Sequence, residues 1–289
     1  SIAPRINAAG RLEHANMALD LLLATDFAKA ITLSNQVEEV NRRRQDMTGR
    51  IVSQAKEEAE KILDRKIILV SHEDWPKGVV GLVAGKLAES YKKPVIVLSK
   101  GEGEYTGSGR AGGNFDLVEC LKSASDLLVK FGGHKQAAGL TVKAENLEKF
   151  YEAILKYADE HVTPVTEPTL DLECRLVEQD LTLDTFDEIS RLEPFGVGNV
   201  KPLFALQNAQ VLSFKLVGTT QTHLQMQLKV GQKLIDCIGF SMARQAADLG
   251  AGTNIDVAGE LIADSWNGTK KLKFKIVNIK KNVTDGNEQ

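Results

Sequence analysis

The segment 131–139 restricts the backbone of this chain more than any other, since it reads Phe-Gly-Gly-His-Lys-Gln-Ala-Ala-Gly. Gly132 and Gly133 permit backbone conformations that are closed to residues with a side chain, and they let a ligand approach the main chain. His134 follows them on a predicted exposed turn, where its ring can donate a hydrogen bond to an anion. The small residues that come next predict an element that packs closely under the turn. A turn of this kind is typical of a phosphate-binding site, although Gly-Gly pairs are also common in ordinary turns.

A second glycine-rich segment precedes the first and reads Gly-Ser-Gly-Arg-Ala-Gly-Gly over residues 107–113. Ser108 and Arg110 are two residues apart, so they would share one face of a β-strand. A hydroxyl and a guanidinium on one face suit a phosphodiester oxygen, because the guanidinium presents a fixed fork of donors. The alternative is a flexible surface hairpin with one solvated arginine.

A third segment, residues 3–12, offers further donors among small residues and reads Ala-Pro-Arg-Ile-Asn-Ala-Ala-Gly-Arg-Leu. Arg5, Asn7 and Arg11 are predicted to surround a tight turn. Three such segments together indicate a polyanionic ligand. The formal net charge of the chain is −3, so no overall basic field attracts a nucleic acid, and binding is expected at a local groove.

Taken in order, these motifs resemble the RecJ family, whose members are 5′→3′ exonucleases specific for single-stranded DNA and belong to the DHH phosphoesterase superfamily. Each motif alone is weak, but the combination is specific and covers essentially the whole chain. The resemblance rests on residues 4–11, 75–81, 107–110, 131–139 and 192–204. It implies that the Gly-Gly-His segment lies in a DHHA1 domain and that the last motif leads into an OB-type domain.

The resemblance also implies metal-dependent hydrolysis of phosphodiesters. In the family, Asp-rich motifs and an Asp-His-His motif bind two divalent metals, with Mn²⁺ or Mg²⁺ expected in the full-length enzyme. The present sequence has no Asp-His-His and 5 His in total, so we interpret it as a C-terminal portion without metal ligands or catalytic residues of its own. Its expected role is to hold single-stranded DNA for the hydrolysis, and we expect it to be inactive alone.

The resemblance assigns roles to individual residues near the cut. His134 is expected to support the active site and Arg110 to contact the phosphate chain, with Ser108 assisting Arg110. Arg5 or Arg11 would bind the 5′-terminal phosphate, which would explain the end specificity. The sequence does not distinguish between these two arginines.

Hydrophobic periodicity divides the chain into three parts. Residues 1–64 read as helical, with Asp26 predicted to cap a long connector helix that reaches about residue 64. Residues 65–162 alternate strands and helices, which predicts a DHHA1-like α/β domain with a mainly parallel sheet. Residues 163–289 read mostly as strands with a helix before the fourth, which predicts an OB-like β-barrel domain.

Two other places offer cations or a ring to a nucleic acid. Arg42, Arg43 and Arg44 form a basic cluster in the long helix, which we interpret as a solvated face balanced by neighbouring glutamates. Trp75 follows the first predicted strand of the α/β domain. Its ring suits either base stacking or the domain core, and we favour the core.

The predicted barrel presents a modest nucleic-acid surface. Lys271, Lys273 and Lys275 share one face of a late strand and can follow a phosphate backbone. Phe274 lies on the other face and is predicted to belong to the core. Weaker candidates are Lys215, His223 and the loop 218–221.

Cysteine usage and hydropathy indicate the compartment and the partners. Cys120, Cys174 and Cys237 show neither disulfide nor metal-ligand spacing, so we expect the reducing cytoplasm and predict that each is a small buried hydrophobe. No apolar run reaches membrane-spanning length, so no membrane partner is expected. We expect a monomer that binds single-stranded DNA, with replication or repair proteins, such as a single-strand-binding protein or a helicase, as further partners.

Three relatives of the same superfamily are the alternatives. Enzymes that cleave oligoribonucleotides or cyclic dinucleotides typically end after the Gly-Gly-His domain, whereas this chain continues into a predicted barrel. A noncatalytic helicase scaffold would keep the fold without the chemistry, but Ser108, Arg110 and His134 are all present. An editing domain that acts on charged transfer RNA needs zinc ligands, and no cluster of that spacing occurs in this sequence.

Overall fold

A computed structural model of the chain describes residues 2–162, 169–247, 249–266 and 269–281, without the side chains of residues 265 and 266. The chain divides into two compact units, Ser1–Glu167 and Pro168–Gln289, and each is described by itself. Most of the linker predicted at residues 161–169 and the whole disordered tail predicted at residues 285–289 lie outside the described residues.

The first unit begins with three helices, in a region that the periodicity predicts to be helical. They are α1 (Ala3–Leu12), α2 (Asn16–Leu22) and α3 (Phe27–Glu60). Asp26 caps α3 as predicted, because its side chain accepts a hydrogen bond from the Lys29 amide at 2.7 Å. The long helix therefore begins where its sequence signal says and ends four residues before the predicted boundary at residue 64.

The tight turn predicted around Arg5, Asn7 and Arg11 is wrong, because this segment forms α1. Pro4 is accommodated in the first turn of the helix, where a backbone amide has no helical partner to lose. The alanines of the segment are strong helix formers, and two of them are buried in the packing of α1. A pattern of small residues that resembles a turn is equally suited to a slim helix.

A five-stranded sheet follows, and it confirms the α/β class. Its strands are β1 (Ile68–His72), β2 (Val95–Lys100), β3 (Glu104–Arg110), β4 (Leu128–His134) and β5 (Ala137–Lys143), in the order β1-β2-β3-β5-β4. The accompanying helices are α4 (Lys77–Tyr91), α5 (Leu117–Ser123) and α6 (Leu147–His161). Of the described pairs in this sheet, only β1–β2 is parallel, so the prediction of a mainly parallel sheet is wrong. The links from β2 to β3 and from β4 to β5 are too short for a crossover, which makes both pairs hairpins.

Apolar side chains on both faces hold the sheet between helices. One face of β1 and β2 packs against α3 and α4 through residues that include Val70, Val97 and Val83. The opposite face packs against α5 and α6, where Leu98 and Leu140 belong to one continuous core. Removal of these side chains from water is the main favourable term in folding.

The Gly-Gly-His segment is a strand rather than the predicted exposed turn. Residues 131–134 belong to β4, and Lys135 and Gln136 make the reversal into β5. Pairing with β5 provides hydrogen-bond partners for the backbone of this segment, which the sequence pattern predicts to be a loop. Gly133 has a φ of 151°, and a side chain at this position would overlap the carbonyl oxygen of Ala137. The second glycine of the pair is therefore required by the hairpin itself.

The second unit contains a closed five-stranded barrel, which confirms the OB-like prediction. The barrel strands are β7 (Phe204–Val217), β8 (His223–Val230), β9 (Lys233–Gly239), β10 (Asn254–Trp266) and β11 (Thr269–Lys281). They run in the order β7-β8-β9-β11-β10, and β10 returns to pair with β7. The additional elements are β6 (Cys174–Arg175), α7 (Leu183–Ser190) and α8 (Ala243–Ala246). The helix expected before the fourth barrel strand is present as α8, although it is shorter than the predicted span 241–249.

Two of the three cysteines are buried as predicted, and one is not. Cys120 and Cys237 are buried, and burial raises the pKa of the Cys120 thiol to about 12. Cys174 is exposed, so the prediction that it is a buried hydrophobe is wrong. It lies on the two-residue edge strand β6, both of whose side chains face solvent. No described helix has both the length and the apolar composition that a membrane crossing requires.

The two adjacent glycines of β4 give a direct test of this register. We expect Gly133→Ala to lower the free energy of unfolding by about 1–3 kcal/mol, because the new methyl group overlaps the neighbouring strand. Gly132→Ala should change it by less than about 1 kcal/mol, since an added methyl group at that position meets no atom beyond its chain neighbours within 4 Å. Urea denaturation followed by circular dichroism measures both. Equal destabilisation by the two substitutions would contradict the pairing of β4 with β5.

Candidate nucleic-acid interface

Three neighbouring strands place Arg110 and His134 in one row across the sheet. Arg110 on β3 lies opposite Ala137 on β5, and Ala137 lies opposite His134 on β4. Directly opposed residues project from the same face of a sheet. Two strand spacings separate the Cα atoms of Arg110 and His134, which amounts to about 10 Å. Between them this face carries only the methyl group of Ala137, so both side chains can contact the same extended anion.

The next row of the sheet carries almost no side chains. Ser108 lies opposite Gly139, and Gly139 lies opposite Gly132. Both glycines are exposed, and an added Cβ would meet no atom within 4 Å at Gly132 and only the Gly107 carbonyl oxygen, at 3.8 Å, at Gly139. We call the surface formed by Gly132, His134, Ala137 and Gly139 the sheet floor. An extended ligand can reach the main chain across this floor, as the sequence pattern predicts.

Lys130 belongs to the same face and was missed by the sequence analysis. It lies opposite Thr141 on β5, one row beyond Gly132, and its side chain is exposed. Once β4 is known to be a strand, the alternation 130, 132, 134 puts Lys130 and His134 on one face. The sequence therefore contains this alternation, but the prediction of a turn at the two glycines does not extend it to Lys130.

Hydrogen bonds fix the Arg110 guanidinium at the edge of the floor. Its Nη1 donates to Ser108 Oγ at 2.7 Å and to the Gly109 carbonyl oxygen at 2.7 Å. Ser108 Oγ in turn donates to the Ala138 carbonyl oxygen at 3.1 Å. The prediction that Ser108 and Arg110 share a face is confirmed. Gly81 of α4 makes room for them, because an added Cβ would lie 3.3 Å from both Arg110 Nη2 and Ser108 Oγ.

A second guanidinium approaches the first. Burial lowers the pKa of Arg110 from its ordinary value, and the nearby charge of Arg11 lowers it further. Arg11 Nη1 donates to the Gly78 carbonyl oxygen at 3.3 Å, which holds it at the start of α4. Two positive charges that act on each other raise the free energy of the free chain, and an anion bound between them would remove this repulsion.

The other two donors of the first segment, Arg5 and Asn7, have different surroundings on α1. Arg5 forms an ion pair with Glu38 of α3. Asn7 and Arg11 are one helical turn apart and line the same shallow groove on α1. The charge of Arg11 therefore acts on Arg110, whereas Arg5 is paired with Glu38.

His134 is exposed at the end of β4. In the part of the chain that the structure describes, it forms no hydrogen bond or ion pair, so its ring nitrogens remain available to a ligand. Trp75 is the opposite case. It is 1 % exposed and its Nε1 donates to Gln54 Oε1 at 3.1 Å, so the prediction of a core position is confirmed.

The three barrel lysines differ in what they contact. Lys273 pairs with Asp264 at 2.6 Å, and Lys275 pairs with Glu260 at 3.1 Å. Lys271 has no ion pair or hydrogen bond among the described residues. Phe274 on the opposite face is fully buried, as predicted. Lys271 is thus the member of the set whose charge is least engaged within the chain.

A groove of about 430 Å³ crosses the outer surface of the barrel over β8 and β9. Phe240, at its edge, is 55 % exposed, and the rings of His223 and Phe240 meet edge to face with centroids 5.3 Å apart. His223 was a weak candidate from sequence, and Phe240 was missed. Exposed rings at the second and third strands of an OB barrel are typical of base-stacking surfaces. An aromatic residue directly after a predicted barrel strand was the signal that could have found it.

The described residues contain no group of three or more His, Cys, Asp or Glu side chains arranged to hold a metal ion. The side chains of this chain that the structure describes therefore do not fit a divalent metal centre. The chemistry that these two surfaces offer is recognition: charge-assisted hydrogen bonds on the sheet floor, and ring stacking on the barrel.

Comparisons with known proteins identify both units. The DHHA1 domain family matches residues 64–160, and the RecJ OB domain family matches residues 171–278. The chain is similar to the single-stranded-DNA-specific exonuclease RecJ of Bacillus subtilis, with 35 % identity over 95 % of this chain and 36 % of the relative. It is similar to the RecJ of Thermus thermophilus at 36 % identity, over 97 % of this chain and 39 % of the relative.

The crystal structure of Thermus thermophilus RecJ in complex with Mg²⁺ is similar to this chain with a TM-score of 0.77 and 33 % identity. The match covers 97 % of this chain and 43 % of that one. The corresponding complex with Mn²⁺ matches with the same score and identity over 41 % of its length. This chain therefore spans less than half the length of each of these relatives.

The barrel lysines allow a matched test of the second surface. We expect Lys271→Gln to weaken binding of a single-stranded oligonucleotide and to reduce the slope of log K against log salt by about 0.7, because one phosphate contact is lost. Lys275→Gln should leave that slope unchanged, since the charge of Lys275 is already engaged with Glu260. Fluorescence anisotropy over a range of salt concentrations measures both. A larger loss for Lys275→Gln would contradict the assignment.

Proposed function

The chain belongs to the RecJ family, of which it contains the DHHA1 and RecJ OB domains, and we propose that it supplies the DNA grip of a metal-dependent 5′→3′ exonuclease specific for single-stranded DNA. The observation that carries the proposal is the row of Arg110, Ala137 and His134 on an open sheet face. A face with cations at its edges and glycine in its floor fits a sugar-phosphate chain and would not bury an apolar ligand.

The binding step follows from the side chains of the first unit. Arg110 and Ser108 hold one phosphate, because the guanidinium is already oriented by its bond to Ser108 Oγ. His134 donates a ring N–H to a phosphate farther along the same strand of DNA. Gly132 and Gly139 let the DNA backbone lie against the sheet. Orientation of this kind matters for rate, since a misplacement of about 1 Å at the reacting phosphate can cost about a hundredfold.

The hydrolysis itself belongs to the full-length enzyme. Structures of the relatives contain Mg²⁺ or Mn²⁺, and we propose that the full-length enzyme uses one of these ions. A bound divalent metal supplies a nucleophilic water and stabilises the leaving oxygen. The residues of this chain position the DNA, and His134 acts as support for the active site.

Of the two arginines proposed for the 5′-terminal phosphate, Arg11 is favoured. It lies beside Arg110, whereas Arg5 is engaged with Glu38. Asn7 lies on the same side of α1 as Arg11 and offers an amide to the same ligand. A cluster of donors at one end of the path explains why a strand of DNA would be held by its terminus.

The barrel adds a second grip. Stacking of a base on Phe240 is tolerant of sequence, and Lys271 contributes one phosphate contact. In this division, residues 1–64 connect to the catalytic part, residues 65–162 hold the DNA near the cut, and residues 163–289 supply a separate DNA contact. We propose further that the chain works in the cytoplasm as a monomer, with a single-strand-binding protein or a helicase as a partner.

Binding without cleavage is the first test. The sequence has no Asp-His-His motif, so we expect the 289-residue chain to bind single-stranded DNA weakly and to leave it intact in the presence of Mn²⁺. Gel analysis of a labelled oligonucleotide after incubation measures cleavage. Metal-dependent digestion by the pure chain would refute this part of the proposal.

The row across the sheet is the second test. We expect Arg110→Gln and His134→Ala each to weaken oligonucleotide binding about tenfold, since each removes a charge-assisted or exposed donor, without a change in melting temperature. Arg65→Gln is the matched control, because Arg65 is exposed and forms an ion pair with Asp64. Anisotropy measures affinity and calorimetry measures folding. Unchanged affinity in both floor variants would remove the sheet floor from the binding site.

A further inference from the structure

A groove of about 750 Å³ is lined by α3, α4 and the side chain of Arg110. We call it the interhelix groove. Its cations are Arg44 from α3, Lys86 from α4 and Arg110 from β3, and Glu89 is its acidic residue. The groove therefore has a local excess of positive charge in a chain whose formal net charge is −3.

These three cations are not engaged in ion pairs. Among the described residues, none of Arg44, Lys86 and Arg110 forms a salt bridge. The two preceding arginines of α3 behave differently. Arg42 pairs with Glu39 at 2.5 Å and Arg43 with Glu13 at 2.9 Å. The predicted solvated basic face thus describes Arg42 and Arg43, and Arg44 alone turns into the groove.

Arg44 is oriented but not satisfied. Its Nη2 donates to Oδ1 of Asn41, a residue that is 3 % exposed and therefore fixed in the packing of α3. Its Nε is buried and has no hydrogen-bond partner among the described residues. A buried donor without a partner is costly, so a ligand that accepts from this edge of the guanidinium would be bound favourably. A phosphate accepts from two guanidinium nitrogens at once, after a small rotation that turns Nε toward the groove.

Gly85 keeps the middle of the groove open. It lies inside α4, where glycine destabilises a helix relative to alanine. No atom lies within 4 Å of the position that a side chain would take, so no packing contact within the described chain requires a glycine. Gly81, one turn earlier, is different, because it accommodates Arg110 and Ser108. The open position of Gly85 is consistent with room for a ligand.

We propose that Arg44 and Lys86, together with Arg110, form a second phosphate subsite for single-stranded DNA in the interhelix groove. The proposal rests on the proposed function, since it assumes that the chain binds single-stranded DNA. Arg110 lies at the junction of this subsite with the sheet floor. A terminal phosphate and an internal phosphodiester present similar oxygens to these side chains, and the experiment distinguishes them.

The test measures anisotropy of a dT12 oligonucleotide, labelled at its 3′ end, with and without a 5′-phosphate, bound to the 289-residue chain. We expect Arg44→Gln to weaken binding about tenfold and to reduce the salt slope by about 0.7, and the double variant with Lys86→Gln to reduce it by about 1.4. Arg42→Gln is the matched control on the same helix and should change neither quantity. A loss confined to the 5′-phosphorylated oligonucleotide assigns the subsite to the terminal phosphate, and an equal loss for both assigns it to an internal one.

Gly85 provides an independent variant, because its substitution fills the groove and removes no charge. We expect Gly85→Leu to keep or raise the melting temperature, because leucine favours helix, and to weaken oligonucleotide binding by filling the groove. Affinity equal to that of the parent chain in Arg44→Gln, Lys86→Gln and Gly85→Leu, with losses in Arg110→Gln and His134→Ala, would overturn the subsite and leave the proposed function standing. Absence of binding by the parent chain would overturn both.

Discussion

The antiparallel register of β3, β5 and β4 is the constraint on which the proposed binding surface depends. It sets Arg110, Ala137 and His134 in one row and puts the glycines in the next. A slip of one residue would turn His134 to the opposite face, among the helices α5 and α6. Gly133 fixes this register, because any side chain there would overlap β5. The glycines of the motif thus have separate duties: one holds the pairing, and the other leaves the surface open.

The proposed binding surface is identified by the cations that lack an acidic partner. The total number of cations does not identify it. The chain has 36 Lys and Arg against 39 Asp and Glu, so most positive charges have an acid available. Arg5 and Lys275 are neutralised in this way. Arg110 and Lys271 are not. Because the net charge is negative, long-range attraction of DNA is weak, and affinity has to come from short-range contacts at these positions.

The sequence correctly predicts the elements that depend on local signals. It mispredicts the elements that depend on pairing between strands. The strands β8 and β9 follow their predicted bounds, since alternating burial and short glycine turns define them. Asp26 marks the start of α3 because a cap is a contact within one turn. By contrast, Gly132 and His134 were assigned to a turn, since the strand they form exists only through its pairing with β5. The sequence does not distinguish Arg44 from Arg42, because the two arginines lie on one helix and differ only in the direction of their side chains. The packing of α3 on α4 decides which of these side chains faces the groove.

The donors of the first unit are oriented before any ligand arrives, and this determines how the chain can bind. Ser108 fixes Arg110, so this guanidinium does not have to give up much side-chain freedom on binding. Arg11 and Arg110 repel each other in the free chain, and a phosphate between them removes that repulsion. The barrel offers an exposed ring, whose stacking depends less on salt, and Lys271, whose phosphate contact would depend on salt like those of the first unit. In the proposed function, the first unit therefore supplies most of the phosphate contacts, and the barrel adds base stacking, which salt weakens less.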